Sequence, residues 1–446
     1  MVGFSWQRLT GKPGHAMPGG MTMSHGTAWS VRKQRPPPDR LSRAPPPQPP
    51  LPSQLEEATP PGQNAASMSG KIIINGNARA EADLIYATRD QILSSNHIDP
   101  HIRKERTVTL VTAAWGENEH SEEHIKKALY KIGIEPRFQG KYDQRVVNLS
   151  VYHALTDFQK KDRGLAQAYA ERDELIADTR KIYLEKNGFY TQQMRRAFEH
   201  IRKFQPDASL AGILKQAPQK GHRIPGRFRG MELLRDFLAE DLEDTVNRLV
   251  ENDHRLTRLI TDLDRQFREG VGLNYHPLWL ELRARLEKTL LNSSTVIIFG
   301  GHLEALHRSL NFFDLRAAFV EALRRGTTFI TVSAGSLLMC ERIIIYDDFA
   351  NGREFQLFDR GFGMVRSLQI FPHCDDRIQV DDQNNLAYLA HRFGERKCVG
   401  LNEGSFLLLD QNEELCARST GKDDGVYVFD QSGRKVRYDF GERLEL

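Results

Sequence analysis

Apolar runs are short throughout these 446 residues, and none approaches the roughly 20 residues that a membrane-spanning helix needs. Cysteine is scarce too. The four present, Cys340, Cys374, Cys398 and Cys416, show no metal-ligand spacing. That argues against a disulfide framework and for reduced thiols in a cytoplasmic protein. Charge of one sign is also missing: 62 basic and 59 acidic side chains leave a formal +3. No global field therefore favours nucleic acid or an anionic membrane as partner. Proline is sparse beyond residue 69, because 13 of the 20 prolines precede it, Pro36 to Pro38 and Pro45 to Pro47 among them.

Residues 1–69 combine that proline content with no apolar periodicity, so they cannot bury enough surface to offset ordering entropy, and disorder is expected. They also lack the apolar core of a secretory signal. Translation from Met68 is the expectation, since Ser69-Gly-Lys-Ile-Ile-Ile74 reads as the opening of a folded domain. Peptides upstream of Met68 in mass spectra of the native N-terminus would refute it.

From Lys71 onward the composition is globular. Thr107 to Ala113 is a continuous apolar and β-branched run, the pattern of a strand buried on both faces. Glu122 to Ile132 has helical spacing that Gly133 stops, and Ile134 to Phe138 reads as the next short strand. Strand, helix and strand at this spacing open a parallel sheet. Residues 145–291 then read as a helical insertion, with amphipathic patterns over Met231 to Leu242, Thr245 to Phe267 and Trp279 to Leu291. A lid or an oligomerisation hairpin would suit it. Lys215 to Arg229 is basic and punctuated by Gly and Pro, as a mobile loop would be.

The sheet pattern resumes with Thr295 to Gly301, a buried strand ending in paired glycines, and helices are expected over Leu303–Leu310 and Asp314–Arg325. Strands follow at Gly361 to Val365 and Leu368 to His373, a helix at Asn384 to Phe393, and late strands in Val399 to Leu409 and Gly425 to Tyr438, the last a hairpin turning at Gln431-Ser-Gly433. The fold class expected is α/β: three layers about a mostly parallel sheet. One domain would be built from 70–144 and 292–446, with the helical insertion at 145–291 between them.

The chemistry centres on Thr327 to Cys340. A β-branched run stops at Ser333-Ala-Gly335 and an apolar helical pattern begins at once. That order reads as strand, sharp turn and helix with a hydroxyl at the turn, as in a nucleophile elbow, although Ser333 as a simple helix cap fits the same residues. A serine hydroxyl needs a base, and the base an orienting acid. His373, in Phe371-Pro-His-Cys-Asp-Asp-Arg377, is the candidate base, and Glu341, Asp347, Asp348 and Glu354 are the candidate acids. Two backbone donors must hold the oxyanion. Ala334 can offer one, and the pair Gly300-Gly301 the other, because glycine lets a substrate approach the backbone closely. No phosphate-cradling spacing surrounds the pair.

In this order, Ile298-Phe-Gly-Gly-His-Leu-Glu-Ala-Leu306, Val332-Ser-Ala-Gly335 and Phe371-Pro-His373 resemble the serine peptidase family of aspartyl dipeptidases (peptidase E) and cyanophycinases. The resemblance covers about 107–140 and 294–430 and implies a class I glutamine amidotransferase-like fold. It puts the nucleophile at Ser333, the neighbouring amide at Ala334 and the base at His373. The acid falls at Asp348, with Asp347 and Glu341 as fallbacks. Arg377 matches the arginine four residues after the histidine in cyanophycinase-like members. Glu403, in Val399-Gly-Leu-Asn-Glu-Gly404, matches a late strand near the site. Two departures stand out: His302 follows the glycine pair where Asn or Asp is usual, and Thr331 replaces a glycine before the elbow. With Gly301 as the second oxyanion donor, and Gly300, His302, Arg377 and Glu403 about the substrate, the resemblance implies hydrolysis of a small peptide or isopeptide containing an aspartyl residue. No metal or organic cofactor is implied. A homodimer is the oligomeric expectation, and a binding or scaffold protein on the same fold, acting through its helical insertion, is the rival one.

Overall fold

The computed structural model describes residues 70–215, 230–347, 354–394, 396–409, 415–419, 425–439 and 441–444, with the backbone alone at 346, 347, 354 and 415–419. Residues 1–69, read above as disordered, and most of the basic stretch 215–229 lie outside these.

Continuous runs of β-branched and apolar residues build the central sheet. Strands β1 (Ile72–Asn75), β2 (Val108–Val111), β3 (Val146–Asn148), β4 (Thr295–Ile298) and β5 (Thr328–Val332) run parallel in the order β1-β5-β4-β2-β3. All residues of β1, β2, β4 and β5 are buried, as expected of strands covered on both faces. Successive side chains enter opposite cores. Ile72, Ile74, Val296 and Ile298 join Phe158, Trp279, Leu286 and Phe319 on one face. Ile73, Ile297 and Ile330 join Leu84, Ile125 and Leu129 on the other. Helices on both faces make the three layers, and each fully buried Ile contributes roughly 1.5–3 kcal/mol.

Apart from the two-residue strands Phe138–Gln139 and Tyr142–Asp143, which pair with each other, the further strands are β6 (Arg342–Asp347), β7 (Glu354–Arg360), β8 (Leu368–Pro372), β9 (Lys397–Leu401), β10 (Ser405–Leu409), β11 (Leu415–Ser419), β12 (Val426–Phe429) and β13 (Lys435–Tyr438). β10 and β11 extend the central sheet antiparallel beyond β1, β6 pairs with β7, and β8-β9-β12-β13 forms a four-stranded sheet.

Two strand expectations are corrected. Residues 134–137 are not a strand: Ile134 closes the helix Glu123–Lys131, its N–H reaching Leu129 O while Gly133 (φ 109) supplies the left-handed residue. The apolar residue read as strand is thus the hydrophobic end of a helix C-cap. The strand beside β2 is β3, which lies inside the stretch expected to be helical. Gly361 to Val365 is an irregular segment, not a strand, and only Val365 makes an isolated parallel bridge, to Cys340. A Cβ at Gly361 would sit 2.1 Å from Cys340 O, and the strand precedes it as β7.

The stretches Met231 to Leu242 and Thr245 to Phe267 belong to one 41-residue helix, Gly230–Gly270, packed antiparallel on the 42-residue helix Arg163–Phe204. No proline and no internal glycine interrupts either pattern between 231 and 269. Their facing sides are zipped by polar groups: Arg172 with Asp264, Tyr183 with Asp253 at 2.6 Å, and Gln193 with Asp241 at 3.1 Å. Among the described residues no helix is long and apolar enough to cross a membrane.

Candidate active site

Ser333 follows β5 directly and takes φ 47, ψ −107, after which the helix Ala334–Met339 begins. Positive φ costs a non-glycine residue on the order of 1–3 kcal/mol and persists only where surroundings enforce it. Here they do. Asn75 O accepts the Ser333 N–H at 3.1 Å and the Ser336 hydroxyl at 2.8 Å, while Ser333 O accepts from Ser336 and Leu337 N–H. Thr331, the departure before the turn, is fully buried with its hydroxyl 3.2 Å from Ile73 O and 3.1 Å from Ser336 Oγ. Two glycines let the backbones close on one another. A Cβ at Gly335 would sit 2.5 Å from Ile298 O, and one at Gly300 would sit 2.9 Å from Ser333 Cβ. The Ser333 hydroxyl caps nothing in the helix it precedes. It points at an imidazole.

That imidazole is His373, at the carboxyl end of β8, with Nε2 3.0 Å from Ser333 Oγ. His373 also has positive φ, 54, and opens the single helical turn Cys374–Arg377. Asn402 holds the turn: its Oδ1 accepts from Asp375 N at 2.9 Å and from Cys374 Sγ at 2.8 Å, and its Nδ2 donates to Asp375 Oδ2. Burial lowers the His373 pKa below the ordinary histidine value, and the Arg377 charge lowers it further, against Asp376 and Glu403, which raise it. A neutral ring that accepts the serine proton at Nε2 carries its own proton on Nδ1. Among the described residues no carboxylate accepts that Nδ1 proton. Asp348 lies outside the described residues, and Asp347 and Glu354 are described by backbone alone. Glu341 is engaged elsewhere by Arg396.

The carboxyl ends of β1, β2, β4 and β5 share one edge of the sheet, where open α/β sheets bind ligands. Gly300 and Gly301 follow β4 there. Gly301 has φ 133, and its Cβ would meet Ala114 O at 2.9 Å, so only glycine fits. Among the described residues neither Gly301 N–H nor Ala334 N–H has a hydrogen-bond acceptor, the state required of oxyanion donors.

The remaining sequence-derived residues divide. His302 uses Nδ1 to accept from Ala305 N at 3.2 Å, capping the helix Leu303–Phe312. Glu403 pairs with Arg79 at 2.6 Å beside a cavity of about 360 Å³ that Asn75 and Asn77 also line. Arg377 lines a cavity of about 540 Å³ whose opposite wall, with Met194 and Arg195, comes from the helix Arg163–Phe204. Sequence reading missed two residues that hold the site's turns: Asn75 and Asn402. Asn402 lay within a quoted run, but backbone anchoring at Asn75 and Asn402 leaves no pattern in a sequence.

One cluster has metal-ligand chemistry. Glu119, His120 and His153 bring candidate ligand atoms within 4.8 Å of one another. Both Glu119 oxygens already accept hydrogen bonds, from Tyr152 N, His153 N and His153 Nδ1. They cap the helix Val151–Lys161, a sufficient reason for a buried carboxylate there.

The model of peptidase family S51 matches residues 257–415. A solved structure described as a peptidase from an acI-B1 Actinobacterium aligns with 85% of this chain and 98% of its own, at 11% identity and a TM-score of 0.40. No curated protein matches the chain. Over residues 257–415, the stretch that carries the glycine pair, Ser333 and His373, the chain matches peptidase family S51, and its enzyme class is that of the serine-type peptidases.

Proposed function

We propose that this peptidase cleaves a small peptide or isopeptide containing an aspartyl residue, with Ser333 as nucleophile, His373 as general base and Asp348 as the orienting acid. The observation that carries the reading is the 3.0 Å contact between Ser333 Oγ and His373 Nε2, within the reach a general base needs. His373 takes the hydroxyl proton as the Oγ–C bond forms. The N–H groups of Ala334 and Gly301 stabilise the oxyanion, and the C–N bond breaks as His373 returns the proton to the leaving amine. Water, deprotonated by the same ring, then attacks the acyl ester and restores the serine.

Gly300, Arg377 and Glu403 would contact the substrate. His302 would meet it only through the ring edge that helix capping leaves over. A fluorophosphonate probe tests the reading. Stoichiometric labelling that disappears in Ser333→Ala and His373→Ala is the expected result. A folded wild-type protein that does not label would leave the scaffold reading, with the helical hairpin as its working surface.

A further inference from the structure

Gly300 to His302 lies between two elements. On one side is the elbow, where a Gly300 Cβ would be 2.9 Å from Ser333 Cβ and 3.6 Å from Ala334 N. On the other is the turn Ala113–Asn118, which follows β2 and binds the glycine segment twice. Ala114 O accepts the His302 N–H at 2.8 Å, and the Trp115 indole Nε1–H donates to Gly300 O at 3.1 Å. The indole is itself fixed, its ring 5.6 Å from Phe299 and stacked at 6.0 Å on His124.

A trans peptide is planar, with its C=O and N–H pointing in opposite directions. Holding Gly300 O against the indole therefore directs the Gly301 N–H away from the turn, toward the side where the elbow lies. Glycine on both sides of this peptide leaves the plane free to rotate, and Gly301 N–H has no acceptor of its own to stop it. Flipped, the same peptide would present a carbonyl oxygen to a developing negative charge. We infer that Trp115 is a positioning residue, whose indole N–H locks the Gly300–Gly301 peptide in the orientation that gives the peptidase its second oxyanion donor. The inference rests on the proposed role of Ser333 and adds a residue to it.

Trp115→Phe keeps a ring against Phe299 and removes the donor. Deleting an oxyanion donor outright costs about 10²–10³ in kcat, and a donor that is present but unlocked should cost less, about 10–100-fold in kcat with KM within twofold. Affinity for a peptide boronate, which forms a tetrahedral adduct on the serine, should fall by a similar factor. Affinity of substrate for the protein carrying Ser333→Ala should not change when Trp115→Phe is added. A side chain that merely supports the fold would not divide ground-state from tetrahedral binding in this way. Should Trp115→Phe fold poorly, benzothienylalanine at 115, isosteric with tryptophan but without the N–H, gives the same comparison. Unchanged kcat in either folded variant, or an effect confined to KM, overturns the inference alone. A wild-type protein that neither labels with fluorophosphonate nor turns over peptides overturns it together with the proposed nucleophile.

Discussion

Ser333 Oγ and His373 Nε2 meet at 3.0 Å across forty residues of chain, and both residues hold positive φ, 47 and 54. The two come from different sheets, Ser333 from the end of β5 and His373 from the end of β8. Each strained residue is fixed by an asparagine. Asn75 binds the serine turn through its backbone oxygen, and Asn402 binds the histidine turn through its side chain. Backbone energy is stored on both sides of one hydrogen bond, which is where proteins keep such strain when geometry matters to chemistry.

Removing either partner should therefore separate activity from stability. Ser333→Ala and His373→Ala are expected to lower kcat by a factor on the order of 10⁴ or more. Ser333→Gly should do the same while stabilising the fold, since glycine holds φ 47 without the steric cost, by roughly 1 kcal/mol. Turnover assays with thermal denaturation of all three variants check this. A Ser333→Gly protein less stable than wild type would mean that the elbow is not strained.

The pH profile follows from the environment of His373. A general base works only when unprotonated. Its pKa is lowered by burial first and by Arg377 second, with Asp376 and Glu403 acting in the opposite sense. The acidic limb of kcat/KM should thus fall below the ordinary histidine range, with activity lost as pH drops through the lowered pKa. Arg377→Ala removes a lowering charge and should move that limb up in pH. Asp376→Asn removes a raising one and should move it down. An acidic limb that ignores both substitutions assigns the titration to another group.

The elbow also leaves no room for a methyl group at its glycine, Gly335. A Cβ at Gly335 would stand 2.5 Å from Ile298 O, a backbone atom at the carboxyl end of β4 that cannot rotate away as a side chain could. Gly335→Ala should force β4 and β5 apart, lowering stability by about 1–3 kcal/mol and kcat by more than tenfold. Urea unfolding midpoints and fluorophosphonate labelling rates measure the two effects separately.

Much of this was legible in the residues. Continuous apolar and β-branched runs identified β2, β4 and β5, and Ser333-Ala-Gly335 after such a run marked the turn. What escaped was set by tertiary context. Ile134 carries the same apolar signal whether it begins a strand or ends a helix, and only the N–H to Leu129 O decides. β3 is three residues long, too short for periodicity to register. Trp115 reads as an isolated aromatic until Gly300 O is found 3.1 Å from its indole. His302 also caps a helix end through Nδ1, a role local sequence permits but does not announce.

The helical hairpin is joined to the rest of the fold by a buried ion pair. Arg392, on the helix Gln383–Phe393, donates to both oxygens of Asp253 on the helix Gly230–Gly270, at 2.8 and 2.9 Å, and both side chains are about 1% exposed. Its remaining donors reach Phe355 O and the hydroxyls of Tyr388 and Tyr183, and Tyr183 in turn accepts the Leu357 N–H. Strand β7 is thereby bound to both long helices through fully satisfied polar groups. Removing one member of a buried pair leaves an uncompensated charge and costs about 3–5 kcal/mol, whereas replacing both by apolar residues is often neutral. Asp253→Asn and Arg392→Met should each destabilise by that order, and Asp253→Leu combined with Arg392→Met should recover a large share of the loss. Hydrogen exchange should quicken in β7 and the hairpin in the single variants while β4 and β5 stay protected. If exchange instead rises uniformly across the central sheet, the hairpin and the sheet unfold as one unit, and the network contributes to global stability alone.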